Sequence, residues 1–368
     1  MSLPILPFVD LRPGDDAADI RAAIDRVIAR GWFVLGPEVE AFEAEFAAAS
    51  GARHAIGVAT GTDAITLLLR AAGIGPGDEV IVPAMTAAYT GLAVIAAGAR
   101  PVFADVEAGR VTLDPSACDA AVTSKTRAII PVHLYGQAAD MSGLQRVAER
   151  HSLLLIEDCC QAHLATAAGV PVGTIGAGGA FSFYPTKNLG ALGDGGAAIT
   201  NDASLADRIR RLRNGGQADR YHHVEAGINS RLDEIQAAIL RARLPRLAAA
   251  TARRRTLAAA YRRELPASVA TVPEIDGGHV YHLFPVRTPE RDAFQAHLRA
   301  LGVETLIHYP VALPQQPAFS AFAPADCPYA ARAAAEVLSL PLYPRLDESD
   351  ITRVANAARA FQKGRVFA

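Results

Sequence analysis

Apolar positions follow two different spacings along this chain, and the two spacings alternate. From residue 18 to residue 48, apolar residues such as Ile20, Ile24 and Val27 recur at helical spacing, which predicts helix with breaks at residues 31–32 and 36–37. Beyond it, short apolar runs predict strands at residues 54–58, 79–83, 101–105, 128–132, 153–157 and 197–200. Helices are predicted between them at residues 64–72, 92–97, 141–151 and 205–212. Strands that alternate with helices are typical of a mostly parallel sheet covered on both faces, so we predict the α/β class.

A long helical span is predicted from Asn229 toward Tyr261, and we place a domain boundary inside it. Residues 1–245 would then form a large domain. Residues 246–368 would form a smaller C-terminal α/β domain, with predicted elements at residues 280–286, 292–301, 305–308 and 351–361. Each part is long enough to bury a core of its own.

Composition and charge narrow the class of protein. Hydrophobic residues make up 51% of the chain and charged residues 20%, which is typical of a globular protein. No apolar run approaches the roughly 20 residues that span a bilayer. The net charge of −2 argues against nucleic acid as a partner, because such binding needs a concentrated basic surface. The opening residues lack the basic start and long apolar core of a signal peptide, so we expect a cytoplasmic location.

The four cysteines follow neither a metal-binding nor a redox spacing. They are Cys118, Cys159, Cys160 and Cys327. Cys159 and Cys160 are adjacent, without the two-residue gap of a redox pair, and no cluster of histidines accompanies them. We therefore expect reduced, buried thiols and no metal site.

The stretch from residue 182 to residue 190 is the hardest part of the chain to explain as scaffolding. Lys187 stands there in a chain that uses arginine almost everywhere else. A desolvated lysine can lose its proton and attack a carbonyl to form a Schiff base, whereas arginine stays charged. Glycines and the hydroxyls of Ser182 and Thr186 surround it, which would suit a closely bound ligand. The alternative interpretation is a solvated loop lysine.

Two further features come at strand ends, where ligands of parallel sheets collect. Asp158 follows the strand predicted at residues 153–157, and the turn at Gly61 opens a helix whose free N–H groups could hold a phosphate. His133 also follows a predicted strand. A Schiff-base lysine, a carboxylate for the pyridine nitrogen and a phosphate-binding helix start are what a pyridoxal phosphate enzyme requires. The sequence therefore predicts that cofactor.

Several motifs, taken together and in order, carry a resemblance to a known family. They are Gly61-Thr62-Asp63-Ala64, Val82-Pro83-Ala84, His133-Leu134-Tyr135-Gly136-Gln137, Glu157-Asp158 with Gln161-Ala162-His163, the stretch 182–190, and Asn229-Ser230-Arg231-Leu232-Asp233. This combination resembles the DegT-type sugar aminotransferases, which are fold type I pyridoxal phosphate enzymes acting on nucleotide-linked keto sugars. The resemblance extends from the region of Trp32 to Pro341, nearly the whole chain.

The resemblance implies a role in cofactor binding for seven residues of a homodimer with shared active sites. Lys187 would form the Schiff base and act as the catalytic residue, Asp158 would pair with the ring nitrogen, and Gln161 would bond the ring hydroxyl. The phosphate would be held by Gly61, Thr62, Ser182 and the partner subunit's Asn229. A monomer would accordingly be inactive.

The resemblance also implies the substrates. The residues similar to those that hold the sugar nucleotide are Tyr184, Arg220, His308 and Tyr309. The motifs are most like the branch that aminates C3 of a dTDP-linked 3-keto-6-deoxyhexose, with L-glutamate as donor by analogy. Amination at C4 of a 4-keto sugar and a non-catalytic, cofactor-binding regulator stay open as alternatives. Relatives with histidine at the lysine position act as dehydratases, which Lys187 argues against.

One departure from the family pattern concerns the other face of the cofactor ring. Family members often carry an aromatic residue where this chain has Ala87, and the nearest ring is Tyr89. Either Tyr89 or another group covers that face, or the face is more open. His163 is left with two interpretations, a contact near the site or a structural histidine.

Overall fold

The computed structural model of this chain describes residues 4–322 and 326–366. The strands, in chain order, are β1 His54–Val58, β2 Glu79–Pro83, β3 Arg100–Ala104, β4 Thr126–Ile129, β5 Leu154–Asp158, β6 Thr166–Ala167, β7 Val170–Pro171, β8 Gly178–Ser182, β9 Gly196–Thr200, β10 Gln217–Asp219, β11 His222–His223, β12 Ala270–Thr271, β13 Phe284–Arg287 and β14 Val337–Leu340. The helices are α1 Ala17–Arg30, α2 Pro37–Ala49, α3 Gly61–Ala71, α4 Ala88–Ala96, α5 Pro115–Ala120, α6 Met141–His151, α7 Ala203–Leu212, α8 Glu234–Arg243, α9 Leu247–Glu264, α10 Arg291–Ala300, α11 Pro328–Glu336 and α12 Glu348–Val366.

A seven-stranded sheet forms the centre of the N-terminal part, in the order β1-β9-β8-β5-β4-β2-β3. Only β9 runs against its neighbours β1 and β8, and the other pairs are parallel. The mostly parallel sheet predicted from the apolar runs is confirmed. Helices cover it, and α3 packs against β8 and β9 through apolar residues such as Leu67 and Leu68. The carboxyl ends of β1, β5 and β8 therefore share one edge of the sheet.

The strand β8 was missed by the sequence analysis because two glycines weaken its pattern. A Cβ added at Gly178 would lie 2.6 Å from the carbonyl oxygen of Ile199 on β9. A Cβ added at Gly179 would collide with the backbone of Gly173. Glycine is thus required where the chain passes closest to its neighbours. For this reason β8, which ends at Ser182, lacks the β-branched residues that usually identify a strand in a sequence.

Several predicted boundaries were wrong, and local contacts explain them. The helix predicted from residue 64 starts at Gly61, because the Oγ1 of Thr60 accepts the N–H of Asp63 at 3.0 Å and caps it. The helix predicted from Asn229 begins only at Glu234, since residues 229 and 233 form bridges with residues 214 and 34. A 3₁₀ turn at Leu244–Arg246 separates α8 from α9.

The C-terminal part has a core of its own around the antiparallel sheet β12-β13-β14. Tyr261 of α9, Phe294 of α10 and Ile351 of α12 are buried against it. The strand predicted at residues 280–286 starts at Phe284. The N-terminal segment joins this core, because Leu6 bridges to Val303. The domain boundary between residues 245 and 246 stays a prediction.

No helix among residues 4–322 and 326–366 combines the length and apolarity needed to cross a membrane.

A buried carboxylate on β5 holds the loop before β8. Glu157 accepts backbone N–H groups of Gly173 at 2.7 Å, Ile175 at 2.9 Å and Gly176 at 2.8 Å. His133 lies 3.1 Å from the same carboxylate through Nε2, while its Nδ1 accepts the N–H of Ala139 at 3.1 Å. Nδ1 is therefore an acceptor, which leaves Nε2 to donate to the carboxylate. Both nitrogens of His133 are used in this network, so its ring offers no free polar atom to a site at the strand ends.

We predict that Glu157→Gln lowers the free energy of unfolding by about 3 kcal/mol. The amide would turn donors toward N–H groups that need an acceptor, and buried polar groups without partners are costly. Urea unfolding at pH 7 measures the change. The control is Glu149→Gln on the exposed side of α6, which should stay within about 0.5 kcal/mol of the native protein. A Glu157→Gln protein as stable as that control would contradict the role assigned to the carboxylate.

Candidate active site

Lys187 lies in the turn after β8, where its N–H donates to the carbonyl of Tyr184 at 2.8 Å. Its side chain is half-buried. Within the part of the chain that the structure describes, the Nζ of Lys187 has no hydrogen-bond or ion-pair partner. Burial lowers the pKa of this amine, while Cys160 and Asp158 nearby oppose the shift. Burial raises the pKa of the Cys160 thiol well above its usual value, so at neutral pH Cys160 is uncharged.

Asp158 ends β5 on the face opposite Glu157 and is 5% exposed. Its Oδ2 accepts the hydroxyl of Thr90 at 2.8 Å, and its Oδ1 accepts the N–H of Cys160 at 3.1 Å. Thr90 belongs to α4, and Thr86 lies one turn before it with the two hydroxyl oxygens 3.3 Å apart. The sequence analysis missed Thr90, although a threonine on the buried face of an otherwise apolar helix was a signal for it. These contacts fix the orientation of the carboxylate.

Gln161 connects three of the predicted site residues. Its Oε1 accepts the N–H of Tyr135 at 2.7 Å, and its Nε2 donates to the hydroxyl oxygen of Tyr309 at 3.0 Å. The hydroxyl of Tyr135 donates to the carbonyl of His308 at 2.6 Å. Burial raises the pKa of Tyr309 and lowers that of His308 to about 4, so both side chains are uncharged at neutral pH. The structure therefore places Gln161, His308 and Tyr309 in one group.

The start of α3 meets the end of β8 at very close range. A Cβ added at Gly61 would lie 2.7 Å from the Sγ of Cys160 and 2.8 Å from the Cβ of Ser182. The N–H groups of Gly61 and Thr62 have no acceptor among the described residues. Unpaired N–H groups and the positive end of the helix dipole favour an anion at this position. Gly61, Thr62 and Ser182 are thus together, as the sequence predicted.

Three predicted residues lie on the surface of the chain. Arg220 sits between β10 and β11, where its Nη2 lies 3.3 Å from the hydroxyl of Tyr221. Asn229 is exposed and bridges Asn214. Tyr184 belongs to the lysine turn but its side chain is exposed. Within one described chain, the contacts do not join Arg220 or Asn229 to Lys187.

The position of the missing aromatic residue is also visible. Ala87 directly precedes α4, and Tyr89 lies in the first turn of that helix with 65% of its surface exposed. Burial is the main cause of the raised pKa of Tyr309 and Asp158 adds to it. Tyr89 is close enough to make a smaller contribution in the same direction. The exposed ring of Tyr89 therefore lies two residues after Ala87, the position where the family pattern has an aromatic residue.

His163 is buried between the rings of Phe181 and Phe183, with ring centroids 5.5 and 5.8 Å away. Neither of its nitrogens has a partner at hydrogen-bond geometry among the described residues, although the backbone of Ser182 lies close enough to oppose part of the fall in its pKa. Burial lowers its pKa to about 3, and the charge of Lys187 adds to the shift. His163 is thus a neutral ring packed behind the lysine turn, in agreement with the structural interpretation.

Comparison with known proteins supplies a family and close relatives. The DegT/DnrJ/EryC1/StrS aminotransferase family model matches residues 15–359. The dTDP-3-amino-3,4,6-trideoxy-alpha-D-glucose transaminase of Streptomyces venezuelae is 48% identical over 97% of this chain and 96% of its own. The UDP-N-acetyl-3-dehydro-alpha-D-glucosamine 3-aminotransferase of Acidithiobacillus ferrooxidans is 46% identical over 96% of this chain and 97% of its own. The crystal structure of S. venezuelae DesV in complex with a ketimine intermediate has a TM-score of 0.95 and 47% identity, covering 98% of this chain and 99% of that chain.

We predict that His163→Leu reduces the loss of unfolding free energy at acidic pH. The unfolded chain binds a proton at His163 below about pH 6.5, whereas the folded chain does so only near pH 3, so stability is lost as the pH falls between these values. Removing the ring should reduce the difference in unfolding free energy between pH 7 and pH 5 by up to about 2 kcal/mol. Urea unfolding at both pH values measures it.

At pH 7 the same variant should stay within about 1 kcal/mol of the native protein, because an unpaired polar ring is replaced by an apolar side chain of similar size. The control is His222→Leu on the exposed β11, which should leave the pH dependence as it is. An unchanged acid profile for His163→Leu would show that this ring takes up a proton in the folded state.

Proposed function

The chain belongs to the DegT/DnrJ/EryC1/StrS aminotransferase family, and from that membership we propose that it aminates C3 of a dTDP-linked 3-keto-6-deoxyhexose. L-Glutamate is the proposed amino donor. The observation that carries the proposal is the half-buried amine of Lys187, which has no polar partner among residues 4–322 and 326–366 and lies within electrostatic reach of the carboxylate of Asp158. Position C3 is supported by the two relatives, both of which are named for a 3-amino group.

Pyridoxal phosphate is the proposed cofactor, and the residues present fit its three kinds of group. The unpaired N–H groups of Gly61 and Thr62 suit a phosphate, and the lack of a side chain at Gly61 lets the backbone come close. Asp158, held by two donors, suits the ring nitrogen. The amine of Lys187 suits the aldehyde. Ser182 and the partner subunit's Asn229 complete the proposed phosphate site.

Each of these side chains has a part in the proposed reaction. When bound, pyridoxal phosphate supplies an aldehyde that takes up the amino group and a ring that accepts electrons. Asp158 would hold the ring nitrogen and favour its protonated form. Gln161 and Tyr309, hydrogen-bonded to each other at 3.0 Å, would hold the side of the ring that carries the hydroxyl. Lys187 would take the proton from the donor carbon that bears the amino group and would deliver it to the carbon of the cofactor aldehyde.

The environment of Lys187 suits a base. Burial lowers the pKa of the amine, which raises the fraction of the unprotonated form at neutral pH. A general base works best when its pKa lies near the operating pH. The uncharged state of His308 and of Tyr309 keeps competing charges away from that amine.

The proposed nucleotide-sugar contacts are Tyr184, Arg220, His308 and Tyr309. Arg220 stays charged at any ordinary pH and presents a planar set of donors that suits a diphosphate. Tyr184 offers an exposed ring and hydroxyl beside Lys187. His308 and Tyr309 lie next to Gln161 and would contact the sugar. Tyr89 is the proposed cover of the cofactor ring that Ala87 leaves open.

A homodimer with shared active sites is part of the same proposal. Large aromatic side chains are exposed, among them Trp32 at 55%, Phe33 at 50% and Tyr221 at 79%. The carbonyl of Phe33 accepts the N–H of Glu234 at 3.1 Å, a few residues after Asn229, and Tyr221 follows Arg220. Exposed aromatic residues in proximity mark interaction surfaces. Arg220 and Asn229 are exposed in the same region and do not reach the lysine of their own chain, which supports their action on the partner's site.

We predict that the purified protein, supplied with pyridoxal phosphate, shows visible absorbance that L-glutamate removes. Adding dTDP-linked 3-keto-6-deoxyhexose should restore the absorbance and yield the 3-amino sugar, identified by mass spectrometry and NMR. Lys187→Ala should slow this turnover at least about a hundred-fold, because it removes both the covalent anchor and the base. The control is Lys125→Ala. Lys125 is an exposed lysine far from Lys187 in the sequence, so this variant should keep full activity.

Two results would contradict the proposal. Turnover of a 4-keto sugar in preference to the 3-keto sugar would move the reaction to C4. Binding of the cofactor without reaction toward a panel of amino acids would instead favour a regulator.

We predict that mixing Lys187→Ala subunits with Asn229→Ala subunits restores aminotransferase activity. A mixed dimer would contain one site with both native residues, so random mixing should recover roughly one quarter of native activity. Co-expression with two different tags produces the mixed dimers, and light scattering gives their mass. The control pairs Lys187→Ala with the double variant Lys187→Ala/Asn229→Ala, which has no native site in any combination. Recovery no greater than in that control would contradict shared sites.

A further inference from the structure

A small cavity of about 90 Å³ lies beside the lysine turn, and of its lining residues only His308 has a part in the reaction described so far. Its polar lining consists of Thr186, Arg254, His282 and His308, and no acidic residue lines it. The remaining wall is apolar and includes Phe8. Thr186 directly precedes Lys187, and the charge of Lys187 helps to lower the pKa of His282 and of His308, so the amine lies within electrostatic reach of the cavity.

Arg254 is the charged group of this cavity. It lies on α9 and is 6% exposed. Its Nη1 donates to the carbonyl of Leu342 at 2.8 Å and to that of Tyr281 at 3.3 Å. Among the described residues, its Nε and Nη2 have no acceptor, and no carboxylate forms an ion pair with it. One edge of the guanidinium is therefore tied to the backbone, and the other edge is available.

The electrostatic surroundings favour an anion at that edge. Burial lowers the pKa of Arg254 to about 10, and no acidic neighbour offsets the shift. Burial lowers the pKa of His282 well below its usual value, with the charges of Lys187 and Arg254 adding to the shift. Both histidines are consequently neutral at pH 7, and the net charge of the lining is positive. A buried cation without a counter-ion is costly, and binding an anion removes that cost.

Resting on the proposed aminotransferase function, we propose that Arg254 binds the α-carboxylate of the amino donor in this cavity. The Nε and Nη2 edge of a guanidinium matches the two oxygens of a carboxylate. At about 90 Å³ the cavity is far smaller than the roughly 300–1,000 Å³ of pockets that hold drug-sized ligands, so it suits a small group such as a carboxylate and not a sugar nucleotide. The α-carboxylate is the one bonded to the carbon that carries the reacting amine, and so it lies nearest Lys187.

The test combines changes in the donor with changes in Arg254, in the half-reaction of the holoenzyme followed by absorbance. The donors are L-glutamate, its α-amide and its γ-amide, L-glutamine. In the native enzyme the α-amide should show an apparent Kd about 10- to 100-fold weaker than L-glutamate, as expected for loss of a charge-assisted hydrogen-bonded pair. Arg254→Gln should raise the apparent Kd of L-glutamate by a similar factor. This variant should then bind L-glutamate and the α-amide with equal affinity.

The rate of the other half-reaction, from the amine form of the enzyme to the keto sugar, should stay within about twofold in Arg254→Gln, because the keto sugar presents no carboxylate to Arg254. Arg253→Gln is the matched control, since Arg253 is the preceding arginine of α9 and bonds the carbonyl of Leu346 outside the cavity. It should leave both half-reactions unchanged. Arg254→Lys, which keeps the charge without the planar edge, should give an intermediate loss for L-glutamate and serves if Arg254→Gln folds poorly.

Each outcome that differs from these expectations contradicts a specific part of the proposal. If Arg254→Gln loses discrimination against L-glutamine rather than against the α-amide, Arg254 binds the other carboxylate. If the native enzyme does not distinguish the α-amide from L-glutamate, the cavity binds no carboxylate, and this result requires no variant. If the native enzyme reacts with no donor at all, the proposed function fails rather than the role of Arg254.

Discussion

Alternation of side chains across a strand is the constraint on which the candidate active site of this protein depends. On β5 it sends two neighbouring carboxylates to opposite faces of the sheet. Glu157 accepts three backbone N–H groups of the loop before β8 and so fixes the path of that strand. Asp158 faces the site and is oriented by Thr90 and the N–H of Cys160. A shift of β5 by one residue would exchange these two environments and remove both the loop and the site.

Close backbone approach is the second requirement, and it explains why parts of the site were predictable and others were not. Gly61 and Asp158 follow strands that the apolar runs predicted, so their meeting at one sheet edge could be inferred. Strand β8, which precedes Lys187, could not be predicted, because Gly178 and Gly179 are required by close backbone contacts that only the folded chain defines. Lys187 was singled out by its residue type and its glycine-flanked loop instead. Thr90 and the partners of Gln161 were likewise hidden, since they depend on which residues distant in sequence come together.

Electrostatics divides the site into two kinds of environment. At the start of α3, unpaired N–H groups provide the attraction for an anion without a charged side chain. Beside the lysine turn, the buried guanidinium of Arg254 provides it instead. Between them the buried histidines stay neutral, because burial and the neighbouring cations both disfavour a further positive charge. The sequence indicated the first environment through its helix-start motif, whereas nothing in the arginine-rich α9 distinguished Arg254 from its exposed neighbours.

The hydrogen bonds around Gln161 have a mechanical consequence. The backbone of Tyr135, the amide of Gln161 and the hydroxyl of Tyr309 form a chain that is closed by the bond from the Tyr135 hydroxyl to the carbonyl of His308. His308 is bonded in turn to Ser339 of β14, in the C-terminal core. The two cores are thus joined by a closed ring of short polar contacts at the site itself. Any movement of one core against the other is resisted at this ring, so the distance between the sheet edge and β14 is set by the residues that also surround the reacting groups.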